Sequence, residues 1–500
     1  MKKCWTTAAG AAFLCCSCSI GPRYQRPTAP APVALKELNG NDLWKMATPS
    51  DGLIKGKWWE MFGDPQLNEL EELVAVNNQN VKQAEAQYQQ ARALVAANHA
   101  NYYPTIGSTP SITQTDVGKN AGRGFGGTSQ TFTLPVIASW EPDLWGRVRL
   151  SVQNAVNNAQ VSAADLENVR LSQQALLATD YFSLGAEYMQ LQILSGTIEA
   201  YDKNLQLTIN RYNGGVASKS DITLAQTQLD AAKAQFTDVL ITRATYEHAI
   251  AVLTGRPPAA VEIGTFKIAG PPPPIPVAIP SQILERRPDI AAAERTVAAA
   301  NASIGLAETA YYPTLTLSAS TGFLSSNLAN LVTWASRSWS AGPSLSQTLF
   351  DFGRRGAALE QAQASYDATV ASYRQTVLTA FQEVEDDLAE LRYLSEEAGQ
   401  QNEAVVAAIQ AVSLENDRYK AGTDSYINVI TTQTIALGDQ QTAVTILQRR
   451  MAAAVDLVKA VGGGWDASSL PSDDALRATT VSKNAPQNDH TAAAGASALR

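Results

Sequence analysis

The 500-residue chain has almost no cysteine: Cys4, Cys15, Cys16 and Cys18 are the only four, all at its start. A disulfide framework over the rest of the chain is therefore excluded. Histidine is as scarce, and His99, His248 and His490 lack metal-ligand spacing. Neither a metal centre nor an enzyme built on imidazole is expected, and no cofactor is implied. Charged residues are only 17% and the net charge is −9, with no basic stripe, so nucleic-acid binding has no electrostatic footprint. Proline is missing from Gly146 to Gly255 and again from Ser344 to Leu470. Those gaps leave room for long unbroken helices.

One such helix organises the chain. Leu359, Ala362, Tyr366, Val370, Tyr373, Val377, Ala380, Val384, Leu388, Leu391 and Leu394 recur at steps of three and four, with Gln361, Asp367, Arg374, Glu385 and Glu390 between them. A narrow stripe sustained this long indicates helix laid along helix rather than a helix sunk in a globular core. If helical from Gly353 to Tyr419, the segment is roughly 100 Å long at about 1.5 Å per residue. The stretch from Gly146 shows a similar stripe at Val148, Val152, Ala155, Ala159, Ala163 and Leu166.

At the N-terminus, Lys2 and Lys3 precede an uncharged run, Cys4 to Ser17, too short to span a bilayer, which is the layout of a signal peptide over residues 1–17. Leu14-Cys15-Cys16-Ser17-Cys18 resembles a lipobox, making Cys18 the expected lipid attachment site. Residues 18–64 are expected to be a lipid-anchored, loosely packed arm, since they lack periodicity and are rich in Pro, Ala and Gly. Asp64-Pro65 then opens a helix as N-cap and first turn, carried by Leu67, Leu70, Leu73, Val76, Val81, Ala84 and onwards to Asn101. Beyond Pro104 the period becomes two. Phe132, Leu134, Val136, Ala138 and Trp140 alternate with more polar residues as a strand, and Thr105 to Thr115 is its expected partner. Gly122-Arg123-Gly124-Phe125-Gly126-Gly127 between them matches a dinucleotide fingerprint by letter, but a strand follows it where a helix would have to.

The chain repeats itself. Tyr102-Tyr103-Pro104-Thr105 recurs as Tyr311-Tyr312-Pro313-Thr314, Trp145-Gly146-Arg147 as Phe352-Gly353-Arg354, and Arg211-Tyr212 with Gly215 as Arg418-Tyr419 with Gly422, at offsets of 209, 207 and 207 positions. Residues 65–255 and 281–465 are thus two copies of helix, strand pair, long helix, turn, long helix. The second pair of strands is expected at Thr314 to Ser320 and Ser338 to Phe350. A proline-rich linker, 256–280, separates the copies, and 466–500 is a C-terminal tail expected to be disordered at its end.

Strands of roughly ten residues suit a tilted membrane strand. Four cannot close a barrel, and an open edge in lipid leaves backbone groups unpaired at several kcal/mol each. Copies of the chain must share one barrel: two would give eight strands and an interior filled by side chains, three would give twelve and a lumen. The fold expected is an α+β membrane protein, a β-barrel continued by a helical tube.

Cys18-Ser19-Ile20-Gly21-Pro22-Arg23-Tyr24, Phe62-Gly63-Asp64-Pro65, Arg286-Arg287-Pro288-Asp289-Ile290 and Gly462-Gly463-Gly464-Trp465 resemble the outer membrane efflux lipoproteins of the TolC-like family. The resemblance implies a homotrimer anchored in outer membrane lipid, with a periplasmic helical tunnel. It also implies an exit duct fed by an inner-membrane pump through a periplasmic adaptor protein. Secretion of proteins or peptides through the same duct is the alternative within transport, and a structural coiled-coil lipoprotein the alternative outside it. In similar proteins the far turns form the tunnel tip, here Arg211, Tyr212, Gly215 and Asp221 in the first copy and Arg418, Tyr419, Gly422 and Asp424 in the second. Replacing Arg418 or Tyr419 is expected to open the tip. Where the family often places aspartates, this chain has Asn428 and Thr431, leaving Asp424 or Asp221 as the candidate acidic groups.

Overall fold

The computed structural model describes residues 20–30, 32, 35–38, 45–46, 56–118, 127–277 and 285–478. Cys18, the signal segment and the tail beyond residue 478 lie outside these.

The first repeat contains α1 (Pro65–Asn77), α2 (Gln79–His99), β1 (Thr105–Gly107), β2 (Ser111–Val117), β3 (Gly127–Trp140), α3 (Arg147–Asn213) and α4 (Lys219–Leu253). The second contains α5 (Pro288–Thr309), β4 (Thr314–Ser325), β5 (Arg337–Ser346), α6 (Arg354–Lys420) and α7 (Tyr426–Ala460), followed by the short α8 (Asp473–Ala478). α3 and α6 are 67 residues each, about 100 Å at 1.5 Å per residue. Their apolar stripes are buried as the periodicity requires: Tyr373, Val377, Ala380, Val384, Leu388 and Leu394 on α6, Val152, Ala159 and Leu177 on α3.

The first expected helix is broken in two. Asn78 is extended (ψ 129°) and its side chain accepts from the amides of Asn80 and Val81, capping α2, while its Nδ2 donates to Leu253 O at 2.9 Å. The break therefore ties the start of the repeat to the end of α4, and Val76, placed by periodicity on the buried stripe, is left exposed. The second repeat makes the same tie with other chemistry. Arg287, 7% exposed, precedes Pro288 at the start of α5, forks onto Asp289 (3.0 and 2.7 Å), reaches Glu383 at 2.7 Å and donates to Ala460 O at 3.0 Å.

These ties flank the main core at the waist of the long helices, where Trp58, Trp59, Tyr181, Phe182, Ile290, Tyr373 and Leu457 are buried together. The proline-rich linker belongs to this core instead of merely separating the copies. Ile263 and Ile275 are buried, and Phe266 lies flat on Tyr181 with centroids 4.0 Å apart, over Gly185, where a Cβ would stand 2.8 Å from the Phe266 ring. The arm is likewise a strap rather than a loose segment: Arg26 donates to Tyr373 Oη, Arg374 to Thr28 O, and the amides of Lys36 and Glu37 to Glu385. Leu35 is fully buried.

The strands form one antiparallel sheet in the order β1/β2, β3, β4, β5, with β1 and β2 both paired to β3. The partner expected as one strand, Thr105 to Thr115, is interrupted over residues 108–110, where Pro110 has no amide to donate. β4 runs on to Ser325 and β5 stops at Ser346, short of Phe350. Register assigns the faces. Phe132, Leu134, Val136, Ala138 and Trp140 stand opposite Ser325, Phe323, Thr321, Ala319 and Leu317, and the last four of these stand opposite Arg337, Trp339, Ala341 and Pro343. One face is therefore mainly apolar over β3, β4 and β5, with Thr321, Ser325 and Arg337 as exceptions and Gln114, Asp116, Thr128 and Gln130 towards the first hairpin's end. The other carries Thr131, Thr133, Ser139, Thr316, Ser318, Ser320, Ser338, Ser340 and Ser344. Both outer edges are unpaired among the described residues. No helix among the described residues is long and apolar enough to cross a membrane.

The repeated Trp-Gly-Arg and Phe-Gly-Arg motifs turn strand into helix. Gly146 and Gly353 take left-handed φ values of 82° and 88°, while the Asp143 and Asp351 carboxylates accept from the first amides of α3 and α6. Trp145 stacks on Tyr312 and donates to Pro313 O at 2.8 Å, joining one repeat's motif to the other's.

Candidate functional site

At the end of the helices farthest from the sheet, two turns link α3 to α4 and α6 to α7. Each long helix ends in the same way: Gly215 (φ 77°) and Gly422 (φ 75°) reverse the chain, their amides donating to Tyr212 O and Tyr419 O. The amides of Val216 and Thr423 donate to Arg211 O and Arg418 O. Gly214, though part of the turn motif, has an ordinary helical φ of −81°.

Beyond this shared backbone the two turns differ. Arg211 crosses between repeats. Its Nη1 donates to Tyr419 O at 2.8 Å and Lys420 O at 3.1 Å, and its guanidinium carbon lies 4.6 Å from the Tyr419 ring centroid. A cation on two carbonyls at a helix C-terminus, Lys420 O and the Tyr419 O that also takes the Gly422 amide, is placed where the helix dipole favours it. Tyr419 is 5% exposed and packs with Tyr201, Leu205, Leu229, Tyr426 and Val429 into a small core of its own. Its hydroxyl contributes little, meeting only Thr208 Oγ1 at 3.4 Å.

Arg418 stays local, at 3.0 Å from both Glu415 and Asp424, and is more than half exposed. Its sequence counterpart Arg211 therefore has a different task, and Tyr212, the counterpart of buried Tyr419, is 43% exposed. Asp221 closes a capping box with Ser218. Asp424 accepts from the Ser425 amide at 2.7 Å and from Asn428 Nδ2 at 2.6 Å. Those two hydrogen bonds, followed by the nearby Arg418 charge, hold its carboxyl below the usual carboxylate range. Both acidic candidates are thus engaged in turn structure within the chain. Asn428 and Thr431 are exposed on α7, with Thr431 bonded back to Ile427 O. Just above this latch a groove of about 750 Å³ runs between the repeats, lined by Gly196, Ala200, Tyr201, Ile409 and Leu437. Periodicity alone could not find it, because it forms only where α3 passes α6 and α7.

The arrangement is that of a conduit: an incomplete membrane sheet with one apolar face, a long helical stem, and a fastening between repeats at the stem's end. A profile described as outer membrane efflux protein matches the chain twice, over residues 70–256 and 279–463. The antibiotic efflux pump outer membrane protein ArpC of Pseudomonas putida and the toluene efflux pump outer membrane protein TtgC of the same species are each 30% identical to it over 472 residues, 93% of this chain and 96% of theirs. The solved outer-membrane channel OprN superposes with a TM-score of 0.81 at 28% identity, over 90% of this chain and 100% of that one. The chain belongs to the outer membrane efflux protein family and is built as an outer-membrane exit duct.

Proposed function

We propose that three copies of this chain close one twelve-stranded barrel in the outer membrane above a periplasmic tube of helices. The assembly passively passes small toxic molecules delivered by an inner-membrane pump through a periplasmic adaptor. One observation carries this reading: register lays a mainly apolar face and a hydroxyl-rich face on a sheet four strands wide, β1 and β2 sharing one edge, whose two edges are open among the described residues. In lipid those edges must be paired, and three chains leave a lumen lined by serine and threonine where two would fill it. The names of the relatives, antibiotic and toluene efflux, support small-molecule cargo. Detergent-solubilised protein is expected to run as a single species of three chains. A stable barrel of one chain would overturn the reading.

Cys18 carries the lipid in this proposal. Gly21 packs so tightly on Gly305, near the end of α5 and just below the sheet, that a Cβ there would stand 2.9 Å from Gly305 Cα. The three residues back to Cys18 span at most about 11 Å, a reach that keeps the anchor at the membrane surface. Mass spectrometry of the mature N-terminus should find an acylated Cys18, and an unmodified residue there would refute the anchor.

The Arg211 to Tyr419 latch holds the tip closed, and the groove above it is the surface assigned to the adaptor. In planar bilayers the wild-type duct is expected to carry small, mostly closed currents.

A further inference from the structure

The loop joining β4 to β5, residues 326–336, contains no charged residue and lies at the end of the sheet opposite the helices. Three of its polar side chains, those of Asn327, Thr333 and Ser336, bond within the loop itself. Thr333 Oγ1 and Ser336 Oγ both donate to Asn330 O, at 2.9 and 2.7 Å, and Asn327 Oδ1 accepts from the Ala329 amide at 3.0 Å. The apolar side chains point outwards instead: Leu328, Val332 and Trp334 are 61%, 69% and 77% exposed. A loop that bonds three of its polar side chains internally and leaves its large apolar ones exposed is suited to an apolar surrounding.

Arg337 follows at once. By register it stands on the apolar face of the sheet, opposite Phe323 and one step from Trp339. Its guanidinium carbon is 4.0 Å from the Trp334 ring centroid, and it meets no carboxylate among the described residues. A cation stacked on tryptophan at the rim of a lipid-facing surface is placed for a headgroup phosphate, which arginine can take with two parallel N–H donors.

We propose that this loop and Arg337 form a docking site for a phosphorylated glycolipid of the outer leaflet, with Leu328, Val332 and Trp334 in its acyl layer and Arg337 on its phosphate. The inference rests on the proposed orientation, helices in the periplasm, which puts the loop at the outer surface. Continuity with the apolar sheet face favours lipid over a second copy of the chain. In a shared barrel the β5 edge meets the β1/β2 edge of the next copy. The first hairpin's connection, residues 118–127, is glycine-rich in sequence, with Phe125 its single large apolar residue.

The test uses the full-length protein in vesicles of phosphatidylcholine and lipid A, after checking that the unsubstituted protein takes up no thiol label. A fluorophore at Val332→Cys and a control at Leu345→Cys on the sheet's apolar face should both be quenched by doxyl-lipids and spared by aqueous iodide. If the Leu345 label behaves so but the Val332 label is quenched by iodide, or by neither agent as in a contact between copies, the dock is refuted and the barrel stands. If both labels escape lipid quenching, the barrel reading fails with it. Native mass spectrometry should show the trimer retaining lipid A but not its dephosphorylated form. Arg337→Ala should lose about tenfold in retention, consistent with removal of a charge-assisted hydrogen bond, and Arg337→Lys should recover part of it. Unchanged retention in Arg337→Ala, or preferential retention of phosphatidylglycerol, would overturn the proposal.

Discussion

The two tip turns carry the same motif, Arg-Tyr followed by a left-handed glycine, yet only the first reaches across the molecule. Arg211 spans to the carbonyls of Tyr419 and Lys420, whereas Arg418 is neutralised by Glu415 and Asp424 within its own turn. The acidic partners make the difference, since the first repeat has Thr208 and Ala217 at the places matching Glu415 and Asp424. An arginine with a carboxylate at hand stays with it. One without such a partner satisfies the neighbour's helix end. A repeat can thus keep its backbone motif and divide its labour through two substitutions.

The contrast can be broken most strongly at Tyr419. Tyr419→Ala removes the ring on which Arg211 rests and leaves a hole among Tyr201, Leu229 and Tyr426, a change of the kind that costs about 3–5 kcal/mol. Hydrogen exchange at the tip should accelerate sharply and single-channel recordings should show a mostly open duct. Arg211→Ala comes next. Losing charge-assisted bonds to two carbonyls is expected to cost about 1.5–3 kcal/mol, enough to raise the open population about tenfold or more. Unaltered gating in that variant would remove the latch from the mechanism.

Arg418→Ser should do far less, since exposed ion pairs contribute about 0–1 kcal/mol, and Tyr419→Phe should be close to silent because the latch uses the ring and the backbone carbonyl. Conductance that rises as much in these two as in Arg211→Ala would reverse the assignment of roles. The smallest effect is expected from pH. Asp424 is held below its ordinary range, so it stabilises the second turn above the unfolded value of about 3.9, and this is lost as pH falls through the lower folded value. Amide protection around Thr423 should weaken only in acid below about pH 4, while the Arg211 contacts, made to neutral carbonyls, should persist there.

The comparison also marks where reading the chain succeeded. The Arg-Tyr-Gly repeats located both turns because a helix reversal needs a left-handed residue and glycine takes that conformation without strain. The letters set Asp424 against Ala217, but they did not tell where Arg211 would go, since its partners lie some two hundred positions away and meet it only when α3 lies beside α6. Arg418 and Tyr419 are adjacent in sequence, yet the structure joins Tyr419 to Arg211.

Periodicity alone determined the long helices, the apolar alternation of Phe132 to Trp140, the doubling of the chain and the need for more than one copy to close a sheet. Each depends on residues near one another in sequence, where a spacing of 3.6 or 2 fixes which side chains share a face. Tertiary structure decided the rest. It split the first helix at Asn78, whose side chain found Leu253 O as well as the amides of α2, and it drew the proline-rich linker into the core through Phe266 on Gly185. It turned the arm into a strap on α6 and made two identical turn motifs into a latch and a clasp. Apart from the clasp, these join groups far apart in the chain, and no local pattern encodes which distant carbonyl or ring will be there to meet them.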